Sequence, residues 1–235
     1  MILSSHQPQY LPWLGYFDKI NNSDCFVFLD TVQYKEREFQ NRNKIRGGDG
    51  WIWLTVPVIS KGQGRQNIAD VKIDNSLDWR NKHWGSIKHC YGKTPFFNKY
   101  AGFFEDIYKT RWEKLMELNI HIIKHLLKEL EIDTPLYYES EVGTSSRATD
   151  RIIEICQKLK ADTYLSGAGG RAYLEEEKFP RAGIKLEYQE FKHPIYCQRS
   201  GRDEEDFIPY MSAVDLLFNE GDNSRNILKG KLSDV

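Results

Sequence analysis

Two prolines, Pro8 and Pro12, close the first apolar run of the chain, with His6-Gln7 ahead of them and Gln9-Tyr10-Leu11 between them. A proline lacks an amide donor, fixes its own backbone and restricts the residue before it, so this stretch is neither ordinary helix nor central strand. An opening strand at residues 2–5 must therefore end in a rigid turn, onto which Tyr10, Trp13 and Tyr16 crowd beside the His6 imidazole. Loops held at strand ends are where binding and catalytic groups concentrate, because a rigid scaffold aims them. His6, Gln7 and Tyr10 bring hydrogen-bonding ends suited to a ligand, whereas an aromatic plug closing the core needs none of them.

Residues 14–20 suit a short helix, and the run from Asp24 to Leu29 suits a strand covered on both faces. Strand, helix, strand opens a parallel α/β sheet. Residues 51–59 are strand-prone, with Pro57 pushing them toward an edge, and residues 71–73 form a shorter candidate. From Ser76, read as an N-cap, the pattern turns helical until Gly92, and Thr94-Pro95 opens a second helix. A third helix at 111–130 carries Trp112, Leu115, Leu118, Ile122, Leu126 and Leu130 on one face. The block 76–131 reads as a helical insertion in a single α/β domain spanning 1–235. The α/β rhythm then resumes: helix 147–159, strand 163–165, glycine turn 166–170, helix 173–177, strand 184–191, helix 213–218 and a polar, mobile tail from Gly221. The expected class is an open, mostly parallel α/β sheet with helices on both faces.

With 33 basic and 34 acidic residues the net charge is -1, which argues against a nucleic-acid partner. No apolar run has the length of a bilayer span, and the N-terminal stretch is too short for a secretory signal. Cys25, Cys90, Cys156 and Cys197 are scattered without a CxxC pair, the pattern of free thiols in a cytoplasmic protein. No cluster has zinc spacing, no cofactor fingerprint is present, and the oligomeric state is not readable. His121 and His125 share an i, i+4 spacing but lie among Lys114, Lys124 and Lys128, without an acidic third ligand. His89 and Cys90 are neighbours on a helix and point about 100° apart, so they do not pair.

Two constellations bear on chemistry. Asp30 falls just past the second strand, at the edge where open α/β sheets place ligands, so His6 and Asp30 end adjacent strands. A carboxylate beside an imidazole raises its basicity and fixes its tautomer, which makes His6 a candidate general base and Asp30 its orienter. Gln33, Asn41, Arg42 and Asn43 add amide and guanidinium donors for sugar hydroxyls, carboxylates or phosphates, or else form a solvated turn. In the second constellation, Gly167, Gly169 and Gly170 lie between a strand and a helix, with Arg171 and Tyr173 following. Such a turn either admits an anion to its backbone amides or is simply tight; it matches neither the dinucleotide fingerprint nor a P-loop.

The run His6-Gln7-Pro8 through Trp13-Leu14-Gly15-Tyr16-Phe17 carries a resemblance, together with Phe28 to Tyr34, Asn41-Arg42-Asn43 and Trp53 to Pro57. Tyr164 to Gly167, Gly169-Gly170, Tyr173-Leu174, His193-Pro194 and Ser212 to Gly221 extend it. These segments resemble the WbqC-like protein family nearly end to end. The resemblance implies work on nucleotide-linked or amino sugars, or transfer from an activated acyl or aminoacyl donor, in bacterial surface-polysaccharide biosynthesis. It implies no assigned catalytic residue. The strand ending in a histidine turn is also similar to the nucleotide-binding fold of nucleotidyltransferases and pantothenate synthetases, but their HxGH signature is absent, since Gln7-Pro8 follow His6. The expected partner is thus a small-molecule substrate. A transferase, a non-catalytic sugar- or nucleotide-binding module and a nucleotidyltransferase-like enzyme all remain open readings.

Overall fold

The computed structural model describes residues 1–48, 50–198 and 206–230. In chain order the elements begin with β1 (Ile2–His6), α1 (Leu14–Asn21), β2 (Cys25–Phe28), β3 (Arg42–Arg46) and β4 (Trp51–Thr55). The helices α2 (Trp79–Tyr91), α3 (Phe97–Lys109) and α4 (Leu115–Glu129) follow. Then come β5 (Leu136–Tyr138), α5 (Glu139–Val142), α6 (Ala148–Lys158), β6 (Thr163–Ser166), α7 (Lys178–Arg181) and β7 (Lys185–Tyr188). The last are α8 (Ala213–Glu220) and α9 (Ser224–Leu228). The chain divides into two compact units, and each is described by itself. Unit 1 comprises Met1–Pro8, Gly15–Val32 and Ile132–Lys192; unit 2 comprises Gln9–Leu14, Gln33–Glu131 and His193–Val235.

Unit 1 is a parallel five-stranded sheet in the order β5-β2-β1-β6-β7. The fully buried β2, Cys-Phe-Val-Phe, fills both faces. Cys25 and Val27 join Leu3, Tyr164, Ile152, Cys156 and Phe179 on the side of α6 and α7. Phe26 packs edge-on against Tyr16 of α1, and that ring also meets His6 edge-on, so His6 lies on the α1 side of the sheet. Continuous apolar strands covered on both faces are what a parallel sheet requires, so the α/β class follows directly from the chain.

Unit 2 holds an antiparallel hairpin, β3 with β4, together with α2–α4, α8 and α9. The helical block expected at 76–131 falls here, with later starts than expected. Ser76 does not cap α2: its N–H and hydroxyl both donate to Asp74 Oδ1, and the helix begins at Trp79. The Thr94 hydroxyl turns back to Tyr91 O, so α3 starts only at Phe97. Of the expected tail from Gly221, the first part is instead a 3-10 turn leading into α9, anchored by buried Ile227 and Leu228, and residues 231–235 lie outside the described residues. In unit 1, the helix expected at 173–177 is replaced by a 3-10 coil at Ala168–Ala172 and the short α7, because the glycine turn itself winds up.

Gly221 is required on two counts. Its φ is +55°, and a Cβ there would overlap the Phe96 ring. Gly221→Ala is expected to destabilise the protein by about 2–3 kcal/mol, combining backbone strain with overpacking, as read by chemical denaturation.

Candidate functional site

From β1 the chain moves to β2 on one side, whereas β6 is followed by β7 on the other. The strand order therefore reverses between β1 and β6, and in open α/β sheets ligands bind outside the carboxyl ends of the strands at such a point. His6 and Gln7 leave β1 there, and Ser166 and Gly167 leave β6.

His6 is partly buried, and its Nδ1 donates to Gln7 O at 3.1 Å. A carbonyl only accepts, so Nδ1 carries the proton and Nε2 keeps its lone pair. The Tyr16 hydroxyl donates to the same carbonyl at 3.2 Å, pinning the rigid turn before Pro8. Burial, and then the charge of Lys19, lower the imidazole pKa from 6.5 to about 3, so the ring is neutral at physiological pH.

Lys19, not foreseen from the sequence, is the charged group of this edge. It projects from α1, is 3 % exposed, and its Nζ donates to Ser5 O at 3.0 Å. A Cβ on Gly167 would lie 3.8 Å from Nζ. Among the described residues no carboxylate pairs with it. Burial alone lowers its pKa from 10.5 to about 7. A lysine is normally assumed exposed. The available signal was its position beside Ile20 and one turn from Tyr16 on an eight-residue helix that also carries Leu14 and Phe17. Its neighbour Asp18 is engaged by the side chains of Asn22 and Gln189, and burial raises its pKa.

The expected pairing of Asp30 with His6 is not made. Phe28 of β2 faces Tyr138 of β5, and the same register two residues on brings Asp30 to Ser140. Its oxygens accept from Ser140 N at 2.9 Å and from the Ser140 hydroxyl at 2.6 Å. Asp30 is buried as an anchor for the chain after β5, and it does not orient the imidazole.

The glycine turn lies where expected but is built differently. None of Gly167, Gly169 and Gly170 has a positive φ, and the segment coils as 3-10 helix, so the left-handed residue that opens an amide nest is missing. The amide of Gly170 is engaged with Gly167 O. A Cβ on Gly170 would overlap Ser166 Oγ, so close packing requires that glycine, whereas Gly169 faces open space. Tyr173 is 72 % exposed.

The other candidates lie in unit 2, mostly with structural duties. Tyr10 is buried, its hydroxyl 2.9 Å from His83 Nδ1 and 2.6 Å from the Tyr108 hydroxyl, so it serves as the plug of the alternative reading. Trp13 bridges to Ser212 and meets the Tyr210 ring at 5.7 Å. Gln33 is exposed and bridges to Asn67. Arg42 and Asn43, expected as donors or else as part of a solvated turn, lie in β3, and Asn41 directly precedes it. Asn41 Nδ2 donates to Val56 O at 2.9 Å and buried Asn43 Nδ2 to Leu11 O at 2.7 Å, stitching loops to the hairpin. Arg42 faces outward, its guanidinium 4.3 Å from the centre of the Trp53 ring. His121 and His125 stack on Phe103. No group of three or more potential ligands suited to a metal occurs among the described residues. None of the four cysteines, all among the described residues, forms a disulfide, and no helix among the described residues is long and apolar enough to cross a membrane.

No solved structure matches this chain. A curated relative, the uncharacterized protein Rv1507c of Mycobacterium tuberculosis (strain ATCC 25618 / H37Rv), is 32% identical over 225 residues, covering 95% of each chain. The profile of the WbqC-like protein family matches residues 7–227, from the turn after β1 to α9, and the chain belongs to that family.

Proposed function

We propose that the protein is a transferase that moves a group from a nucleotide-linked sugar or an activated acyl or aminoacyl donor to an amine or hydroxyl acceptor, in surface-polysaccharide biosynthesis. Family membership supports the class of substrate. The observation that carries the chemistry is the neutral His6, held in one tautomer at the carboxyl end of β1, where the strand order reverses. In the proposed step the acceptor oxygen or nitrogen attacks the donor's carbonyl or anomeric carbon while its proton passes to His6 Nε2. The bond to the leaving group breaks, its electron pair departs with that group, and the imidazolium returns the proton to it. With a pKa of about 3 the ring is a weak base when the site is empty, and an anionic donor alongside raises its basicity. Gln7, beside it, is assigned to substrate contact, and Asp30 keeps only its anchoring part.

The test is a thermal-shift screen of sugar nucleotides and acyl donors, followed by mass spectrometry of mixtures containing amine or amino-sugar acceptors. A donor should stabilise the protein and be consumed only when an acceptor is present. His6→Ala should then lower turnover by about a hundredfold while leaving donor binding within a few-fold. The low basicity of His6 also favours a second reading, a non-catalytic module holding the same donor, which predicts stabilisation with no product. Failure of every donor to bind rules out both readings.

A further inference from the structure

Salt bridges satisfy Lys99, Lys109, Lys158, Lys178 and Lys185 at the surface, each with a carboxylate. Lys19 is the contrast: nearly excluded from water, its three-donor ammonium gives, among the described residues, one hydrogen bond, to the Ser5 carbonyl. The ionisable groups of its own helix and of β1 are neutral or already engaged. On β1, His6 is uncharged. On β6, Tyr164 lies on the opposite, α6 face of the sheet, its hydroxyl paired with Ser5 Oγ at 2.9 Å. On α1 itself, Asp18 is bonded by Asn22 and Gln189. At Gly167 the absent side chain leaves space beside the ammonium: a Cβ there would lie 3.8 Å from Nζ, in ordinary contact, and beyond its chain neighbours would meet no other described atom within 4 Å. A buried cation without a counter-ion is disfavoured by several kcal/mol, a penalty that an arriving anion removes.

We propose that Lys19 is the anchor for an anionic group, phosphoryl or carboxylate, of the small molecule that binds at the carboxyl ends of β1 and β6. The inference rests on the reading of that edge as the donor site and names what the donor must carry there. The ammonium keeps two donors for the anion, and the missing side chain of Gly167 leaves space beside it. An anion so placed favours the charged lysine, whose pKa in the empty site is only about 7. Binding near pH 8 should therefore take up a proton, whereas well below pH 7 the lysine is already charged and uptake should vanish.

The experiment is calorimetric titration of the full chain with pyrophosphate, inorganic phosphate and acetate at about pH 8, in two buffers of different ionisation enthalpy. The wild type should bind at least one probe with close to one proton taken up. Pyrophosphate or phosphate binding identifies a phosphoryl group, and acetate binding alone identifies a carboxylate. Lys19→Met should weaken that binding at least about tenfold and abolish the uptake. Lys19→Arg, permanently charged, should restore binding without the uptake. Equal binding by Lys19→Met, binding by the wild type without proton uptake, or no binding of any probe would each overturn the anchor. Product formation at wild-type rates in Lys19→Met would leave the transfer reading standing without it. Lysine-dependent binding with no product from any donor would sink the transfer reading alone.

Discussion

Lys19→Met is expected to stabilise the folded protein by about 2–4 kcal/mol near pH 6, with the gain fading toward pH 10. Lys19 has a folded pKa of about 7 against an ordinary 10.5. Between those values the unfolded chain binds more protons than the folded one, so stability rises with pH across that window. Below it both states carry the charge and the full burial penalty is present; above it both are neutral and the penalty is gone. The separation corresponds to about 5 kcal/mol, and losing the hydrogen bond to Ser5 O takes back part of it. Urea unfolding of both proteins at several pH values measures the difference. A variant that is less stable than the wild type at pH 6 would show that the ammonium holds the fold together, leaving no surplus charge for a ligand.

Asp215→Ala is expected to destabilise unit 2 by about 3–5 kcal/mol. Asp215 of α8 is fully buried and accepts from the Tyr91 hydroxyl at 2.8 Å, the Tyr196 hydroxyl at 2.7 Å and Gln198 Nε2 at 2.8 Å. Alanine leaves the two buried hydroxyls of Tyr91 and Tyr196 without that acceptor, leaves Gln198 Nε2 with Ile208 O alone, and opens a void beside them. Asp215→Asn keeps the shape and part of the accepting capacity and should lose about half as much. Burial raises the carboxyl pKa despite those bonds, so the folded state binds its proton more readily than the unfolded chain does. Mild acid should therefore not unfold the protein through this residue. Denaturation midpoints across the acidic range check both statements, and a loss below about 1 kcal/mol in Asp215→Ala would remove the cluster from the set of interactions that hold unit 2.

Much of the parallel sheet was legible because its strands are written as apolar runs with unambiguous ends: Ile2 to Ser5 before Pro8, and Cys25 to Phe28 before Asp30. β3 was not, since Arg-Asn-Lys-Ile-Arg looks solvated until Asn43 is seen buried with its amide on Leu11 O. The region of the glycine turn was legible and its conformation was not: 3-10 winding depends on packing against Ser166 and Leu174, which no local pattern encodes. His6 was found because proline punctuation isolates it. Lys19 was missed because its burial arises only when α1 docks on β1. Asp30 was placed at the correct edge, but the β2–β5 register, set by residues more than a hundred positions away, decided its partner.

The middle strand of the sheet is synthesised long before one of its two neighbours, with Ile2 facing Thr163 and Leu3 facing Tyr164. Until then β1 can pair with β2 alone and exposes an open backbone edge, a surface on which chains adhere to one another. The distance along the chain also makes closure of the sheet slow. Expression yield should thus depend on how long nascent chains wait for residue 163, and cooler growth or chaperone supply during synthesis should recover more material than any change to the buffer after lysis.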